Sequence, residues 1–95
     1  MALPIRYSHI AEAEELELLL FINNKWGKQK AEEIYNKIEL VLYYISLMPK
    51  MYPVSQQKQG LRKCVLSKQT SIYYRIKEDF IEIVSIRDNR AYPKF

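Results

Sequence analysis

The residues in this chain best equipped for chemistry are cations and phenols: Arg62, Lys63, Lys68, Arg75, Arg87 and Arg90, with Tyr73 and Tyr92 among them. Guanidinium groups hold phosphates through paired hydrogen bonds and stabilise charge building on a phosphorane, while tyrosine rings stack on bases. Such a set could cleave RNA without a histidine, because a positioned 2′-hydroxyl attacks its own adjacent phosphate once the charge is stabilised. It could equally dock an acidic protein segment, or bind nucleic acid without cutting it, and composition does not separate these readings.

Other chemistries lack their parts. The single histidine, His9, and the single cysteine, Cys64, are far apart in sequence, so neither a metal cluster nor a nucleophile–base pair is in view. With two glycines in 95 residues there is no room for a glycine-rich phosphate loop, and no cofactor is expected. One cysteine makes no internal disulfide; it reads as a small apolar strand residue in a reducing compartment. The longest apolar run, "LLLFI" at 18–22, is too short to cross a bilayer, and "MALPIRYSH" has no export pattern; the expected location is the cytoplasm, away from membranes.

Charge is distributed unevenly. Residues 1–49 carry five bases and seven acids, net −2; residues 50–95 carry ten and four, net +6. The basic surface therefore belongs to the second half, which favours an acidic or polyanionic partner.

A chain of this length is expected to form a single domain, residues 1–95. "LPIRYS" reads as a short strand ending at a good helix N-cap, Ser8, with Glu12, Glu14 and Glu15 in the early turns where carboxylates complement the dipole. A first helix to about Asn24 shows a broad apolar stripe of Ile10, Ala13, Leu16, Leu19, Leu20 and Ile22. Gly27 breaks the pattern. A second helix follows, with Ala31, Ile34, Tyr35, Ile38, Val41, Leu42 and Ile45 at spacings of three and four, closed by Pro49. So short a connection implies a helical hairpin. Residues 49–60 read as a surface loop, and "LRKCVL", "SIYYRIK" and "FIEIVSI" as three strands joined by the polar turns "SKQT" and "KED". The expected class is α+β, order β-α-α-β-β-β: an antiparallel sheet with the hairpin packed on one face and the other face open. In "SIYYRIK", Ile72, Tyr74 and Ile76 alternate with Tyr73, Arg75 and Lys77, so one side of that strand is apolar and the other basic and aromatic.

This order, together with "YS" before the first helix, "FINNKWG", "ISLMPKMYP", "GLRK", "SIYYRI" and the closing "IEIVSIRDNRAYPKF", resembles the RelE/ParE family of type II toxin–antitoxin toxins, in particular its ParE-like branch of plasmid stabilization proteins. The resemblance spans nearly the whole chain. Asp88, Arg90 and Pro93 fill an Asp-x-Arg-x-x-Pro pattern after the last strand, where the family places part of its functional surface. It implies growth inhibition, neutralisation by a cognate antitoxin that wraps the hairpin and the open sheet, and oligomers formed through that antitoxin. RelE-like members cleave mRNA in the ribosomal A site with several basic residues; ParE-like members poison DNA gyrase and lack most of that set. Here Thr70 stands where the RelE-like branch carries a strand arginine, which favours the non-enzymatic ParE-like action. Arg62, Arg90 and Tyr92 would be the catalytic residues of the alternative. Arg62, Arg75, Arg87, Arg90 and Tyr92 are the expected target or partner contacts, joined by Leu18, Phe21 and Trp26, which fall off the main stripe of the first helix. An acidic, partly disordered antitoxin would suit the basic surface.

Overall fold

The computed structural model describes residues 2–56, 58 and 60–88. Strand β1 (Ile5–Tyr7) leads into helix α1 (His9–Trp26), helix α2 (Lys28–Leu47) and strands β2 (Arg62–Val65), β3 (Thr70–Ile76) and β4 (Ile81–Asp88). Ser8 caps α1 as expected: its backbone is extended and its Oγ accepts the Ala11 N–H at 2.9 Å. Gly27 alone joins the helices. Its φ of +97° lies in a region that side chains rarely adopt, which is why glycine fits this one-residue link.

The sheet runs β1-β4-β3-β2. It is antiparallel across β2, β3 and β4, but β1 pairs with β4 in parallel, so the sheet is mixed rather than wholly antiparallel. A parallel pair needs a long crossover, and the chain between β1 and the other strands, two helices and then the segment from α2 to β2, supplies it.

The core lies between the hairpin and the sheet. Ile38, Leu42 and Ile45 of α2 meet Cys64, Ile72, Tyr74, Ile81, Ile83 and Ile86, as the helical and strand spacings predict. Helix α1 departs from expectation. It buries Ala11, Leu18 and Ile22, whereas Ile10, Leu16 and Leu20 of the expected stripe are exposed. The turned phase brings two carboxylates, Glu14 and Glu15, to its half-buried side.

Glu14 explains this. β1 covers β4 only from Ile81 to Ile83, and beyond that point α1 takes the place of a strand. Ser8 N–H donates to Ile83 O at 2.9 Å and Ser8 Oγ–H to Val84 O at 2.8 Å. Glu14 Oε1 then accepts the Ile86 N–H at 2.9 Å and the Ser85 hydroxyl at 2.7 Å. A carboxylate thus satisfies a backbone donor that an absent ladder would have left unpaired.

The described residues between 49 and 60 form no regular element but are bound down. Tyr74 Oη–H donates to Pro49 O at 2.6 Å, Lys63 N–H to Pro53 O at 3.0 Å, and Val54 makes an isolated bridge to Arg62.

Candidate functional site

Cross-strand register sorts the candidate residues by face. Lys63, Tyr73 and Ser85 lie side by side, and so do Arg6, Glu82 and Arg75, on the side of the sheet away from the helices. A bulge at Val84 keeps the faces consistent: Tyr73 opposes Ser85 while Tyr74 opposes Ile83, so Val84 is the extra residue. Arg87, two beyond Ser85, joins this basic face.

That face is not open throughout. Tyr73 is only 4% exposed and Ser71 is buried. The ammonium groups of Lys58 and Lys63 sit 5.7 and 5.8 Å from the centre of the Tyr73 ring, so the 49–60 segment helps to cover it. Arg75 reaches across to Glu82 with Nε 2.9 Å from the carboxylate, and Arg6 lies 4.8 Å over the Phe80 ring. Arg87 donates from Nε to Ser85 Oγ at 3.1 Å and lies 3.8 Å from Glu14. The result is a surface of five cations, Arg6, Lys58, Lys63, Arg75 and Arg87, threaded by Glu82 and bordered by Glu14.

Arg62 is elsewhere. Its strand position opposes Tyr74, on the core side, and its Nη1 donates to Tyr52 O at 2.8 Å, pinning the 49–60 segment. Around it the titratable groups are structural. Burial pushes the Cys64 thiol and the Tyr74 phenol up, and the Cys64 contact followed by burial pushes Tyr52 up to about 12. A thiol held protonated is a poor nucleophile, in keeping with its reading as a strand residue.

Leu18 is 6% exposed and belongs to the core, so it is not part of a docking surface. The helix wheel misled here because the phase of α1 is set by Glu14 as well as by apolar residues. Phe21 and Trp26 are exposed and meet edge to face at 5.9 Å, with the Lys25 ammonium over both rings. The outer side of α2 is also apolar: Leu40, Tyr43, Tyr44 and Leu47 are all exposed. Arg90 and Tyr92 lie outside the described residues. Among the described residues no helix is long and apolar enough to cross a membrane, and no group of three or more metal-ligating side chains is arranged to hold an ion.

No family model and no curated protein sequence matches the chain. Solved structures do. A chain of the chromosomal ParDE TA system from P. aeruginosa matches with a TM-score of 0.79 at 18% identity, over 92% of this chain and 96% of that one. A chain of the E. coli DinJ-YafQ toxin-antitoxin complex matches with a TM-score of 0.63 at 11% identity, over 98% and 99%. The YoeB dimer from Staphylococcus aureus gives 0.62 at 15%, over 92% and 97%. The fold is therefore that of the RelE/ParE-type toxins, shared over nearly the full length of the compared chains.

Proposed function

We propose that this chain is the toxin of a type II toxin–antitoxin system, that it inhibits growth in the cytoplasm in the ParE-like manner through DNA gyrase, and that a cognate antitoxin neutralises it and builds the oligomer. The observation that carries this reading is that Arg62, the described member of the candidate RNA-cleaving set, is engaged away from the cationic face. Arg62 is spent on the Tyr52 carbonyl at the core side, Arg75 is paired with Glu82, and Thr70 occupies the strand position where an RNA-cleaving relative would carry arginine. Phosphoryl transfer needs converging cations, and Arg62 does not converge with Arg87. The TM-score to the ParDE chain, above those to the YafQ and YoeB chains, points the same way.

The test is to induce the chain alone from a tightly repressed promoter and follow thymidine and methionine incorporation over the first minutes, with a supercoiling assay on purified gyrase in parallel. An early fall in thymidine incorporation and inhibited supercoiling are expected. An early fall in methionine incorporation with gyrase untouched overturns the reading in favour of mRNA cleavage at the ribosome. Arg62, Arg90 and Tyr92 would then be the first residues to substitute.

A further inference from the structure

Two arginines of the basic face are held by their Nε atoms, and they are held differently. Arg75 Nε lies 2.9 Å from the Glu82 carboxylate, so its charge meets an opposite one directly. Arg87 Nε–H donates instead to a neutral hydroxyl, Ser85 Oγ, at 3.1 Å. That hydroxyl donates in turn to Glu14 Oε1 at 2.7 Å. Glu14 Oε2 approaches Arg87 Nε only to 3.8 Å, which is too far for a hydrogen bond. Its carboxylate is already drawn on by two neutral donors, the Ser85 hydroxyl and the Ile86 N–H.

This relay aims Arg87 without neutralising it. The Ser85 proton is committed to Glu14, so an Oγ lone pair is turned toward the Arg87 Nε–H, and a planar guanidinium fixed at Nε has its direction set. The interposed hydroxyl keeps the two charges apart, so Arg87 retains more of its attraction for an outside anion than Arg75 does. Ser85 is only 6% exposed, which limits competition from water for the relay. The Arg87 side chain remains 26% exposed, and the β3 residue opposite it is Ser71, whose side chain is short.

We propose that Glu14 and Ser85 are positioning residues for Arg87, and that Arg87, rather than Arg75, is the arginine of this face that binds a carboxylate of the inhibited protein. Assigning that carboxylate to gyrase rests on the function proposed above; the contrast between the two arginines does not. The relay also ties α1 to the basic face, because the carboxylate that aims Arg87 stands on the helix.

The test follows arginine Nε–H resonances in the purified, ¹⁵N-arginine-labelled full chain, assigned by their loss in Arg87→Lys and Arg75→Lys. Sodium acetate is titrated against sodium chloride and sodium phosphate at equal ionic strength. A saturable acetate shift of the Arg87 resonance is expected, at least about threefold larger than that of Arg75. In Ser85→Ala the Arg87 Nε–H should exchange with water about tenfold faster and lose the acetate response, while Ser85→Thr, which keeps a hydroxyl, restores both. Glu14→Gln serves if Ser85→Thr does not fold; it should give intermediate exchange. Protection of the Ile72 amide reports that each variant is folded. In gyrase supercoiling, Ser85→Ala and Arg87→Gln should each raise the concentration needed for inhibition about tenfold, and the double variant no further, since both act through one group. An Arg87 resonance indifferent to Ser85→Ala, an equal acetate response at Arg75, a response to phosphate alone, or multiplying effects on gyrase overturns the proposal. If the parent chain leaves gyrase untouched, the toxin reading through gyrase fails, and the acetate and exchange measurements still decide whether Arg87 is the positioned anion-binding arginine.

Discussion

Replacing Glu14 with alanine removes the carboxylate that stands in for a missing strand along β4. Oε1 accepts the Ile86 N–H at 2.9 Å and the Ser85 hydroxyl at 2.7 Å, and both residues are buried. Orphaning a buried donor costs about 1–3 kcal/mol, and a hydrogen bond to a charged acceptor is worth about 1.5–3 kcal/mol net. The Arg87 pair, at 3.8 Å with both side chains about a quarter exposed, adds at most about 0.5 kcal/mol. Alanine's better helix propensity returns a few tenths, about 0.3 kcal/mol. The expected loss is about 3 kcal/mol, a large share of the stability of a domain this size. Equilibrium urea unfolding measures it, with Glu17→Ala on the exposed side of α1 as the control, expected within about 0.5 kcal/mol of the parent. Glu14→Gln retains an acceptor and loses the charge, so it should fall between. Hydrogen exchange gives an independent reading: the Ile86 amide should lose protection in Glu14→Ala more than the Ile72 amide does. A Glu14→Ala protein as stable as the control, or an Ile86 amide still protected, would refute the idea that a side chain completes this edge.

Further outcomes follow from the same contacts. Ser8→Ala loses both the cap to Ala11 and the bond to Val84 O, and should cost about 1–2 kcal/mol in urea unfolding. Tyr74→Phe removes the hydroxyl that holds Pro49 O; it should cost about 1 kcal/mol and speed proteolysis within residues 49–60, read by mapping the first cut. Arg75 and Glu82 are partly exposed, so a double-mutant cycle should give a coupling of about 0.2–1 kcal/mol despite the 2.9 Å contact. Because the Glu15 carboxyl is raised in the folded state, the native protein binds more protons than the unfolded chain just above the ordinary carboxylate range. Stability is therefore lost there as pH rises, and Glu15→Gln should raise Tm relative to the parent more at pH 7 than at pH 4.

Much of the fold is legible in local patterns. Helix α2 shows its stripe because one face meets the core and little else constrains it. Ser8 and Gly27 are readable because a cap and a positive-φ link need particular residue types. What escapes is the non-local part. The parallel pairing of β1 with β4 joins residues 76 apart, such as Ile5 and Ile81, and no short window contains both. The phase of α1 follows from where β1 ends, since only then does β4 need the Glu14 acceptor; an apolar-stripe argument counts Glu14 as a surface residue. For the basic set, residue types were visible but engagements were not. Arg62 and Arg75 look alike in sequence, yet one clips a carbonyl on the core side and the other pairs across two strands.

The extra residue in β4 acts as a change of reading frame within one strand. Upstream of Val84, odd-numbered positions face the helices, as Ile81 and Ile83 do; downstream the even-numbered Ile86 does, leaving Ser85 and Arg87 on the basic side. Strict alternation would send Arg87 inward and Ile86 outward. Deleting the single codon for Val84 would set Ser85 directly after Ile83 and restore strict alternation, with Ile86 still toward the core and Arg87 still on the basic side, so the pairing on both sides of the bulge could be kept. The inserted residue thus absorbs a break in the alternation of the sequence, so that the cationic face and the apolar core each stay on one side along the whole strand.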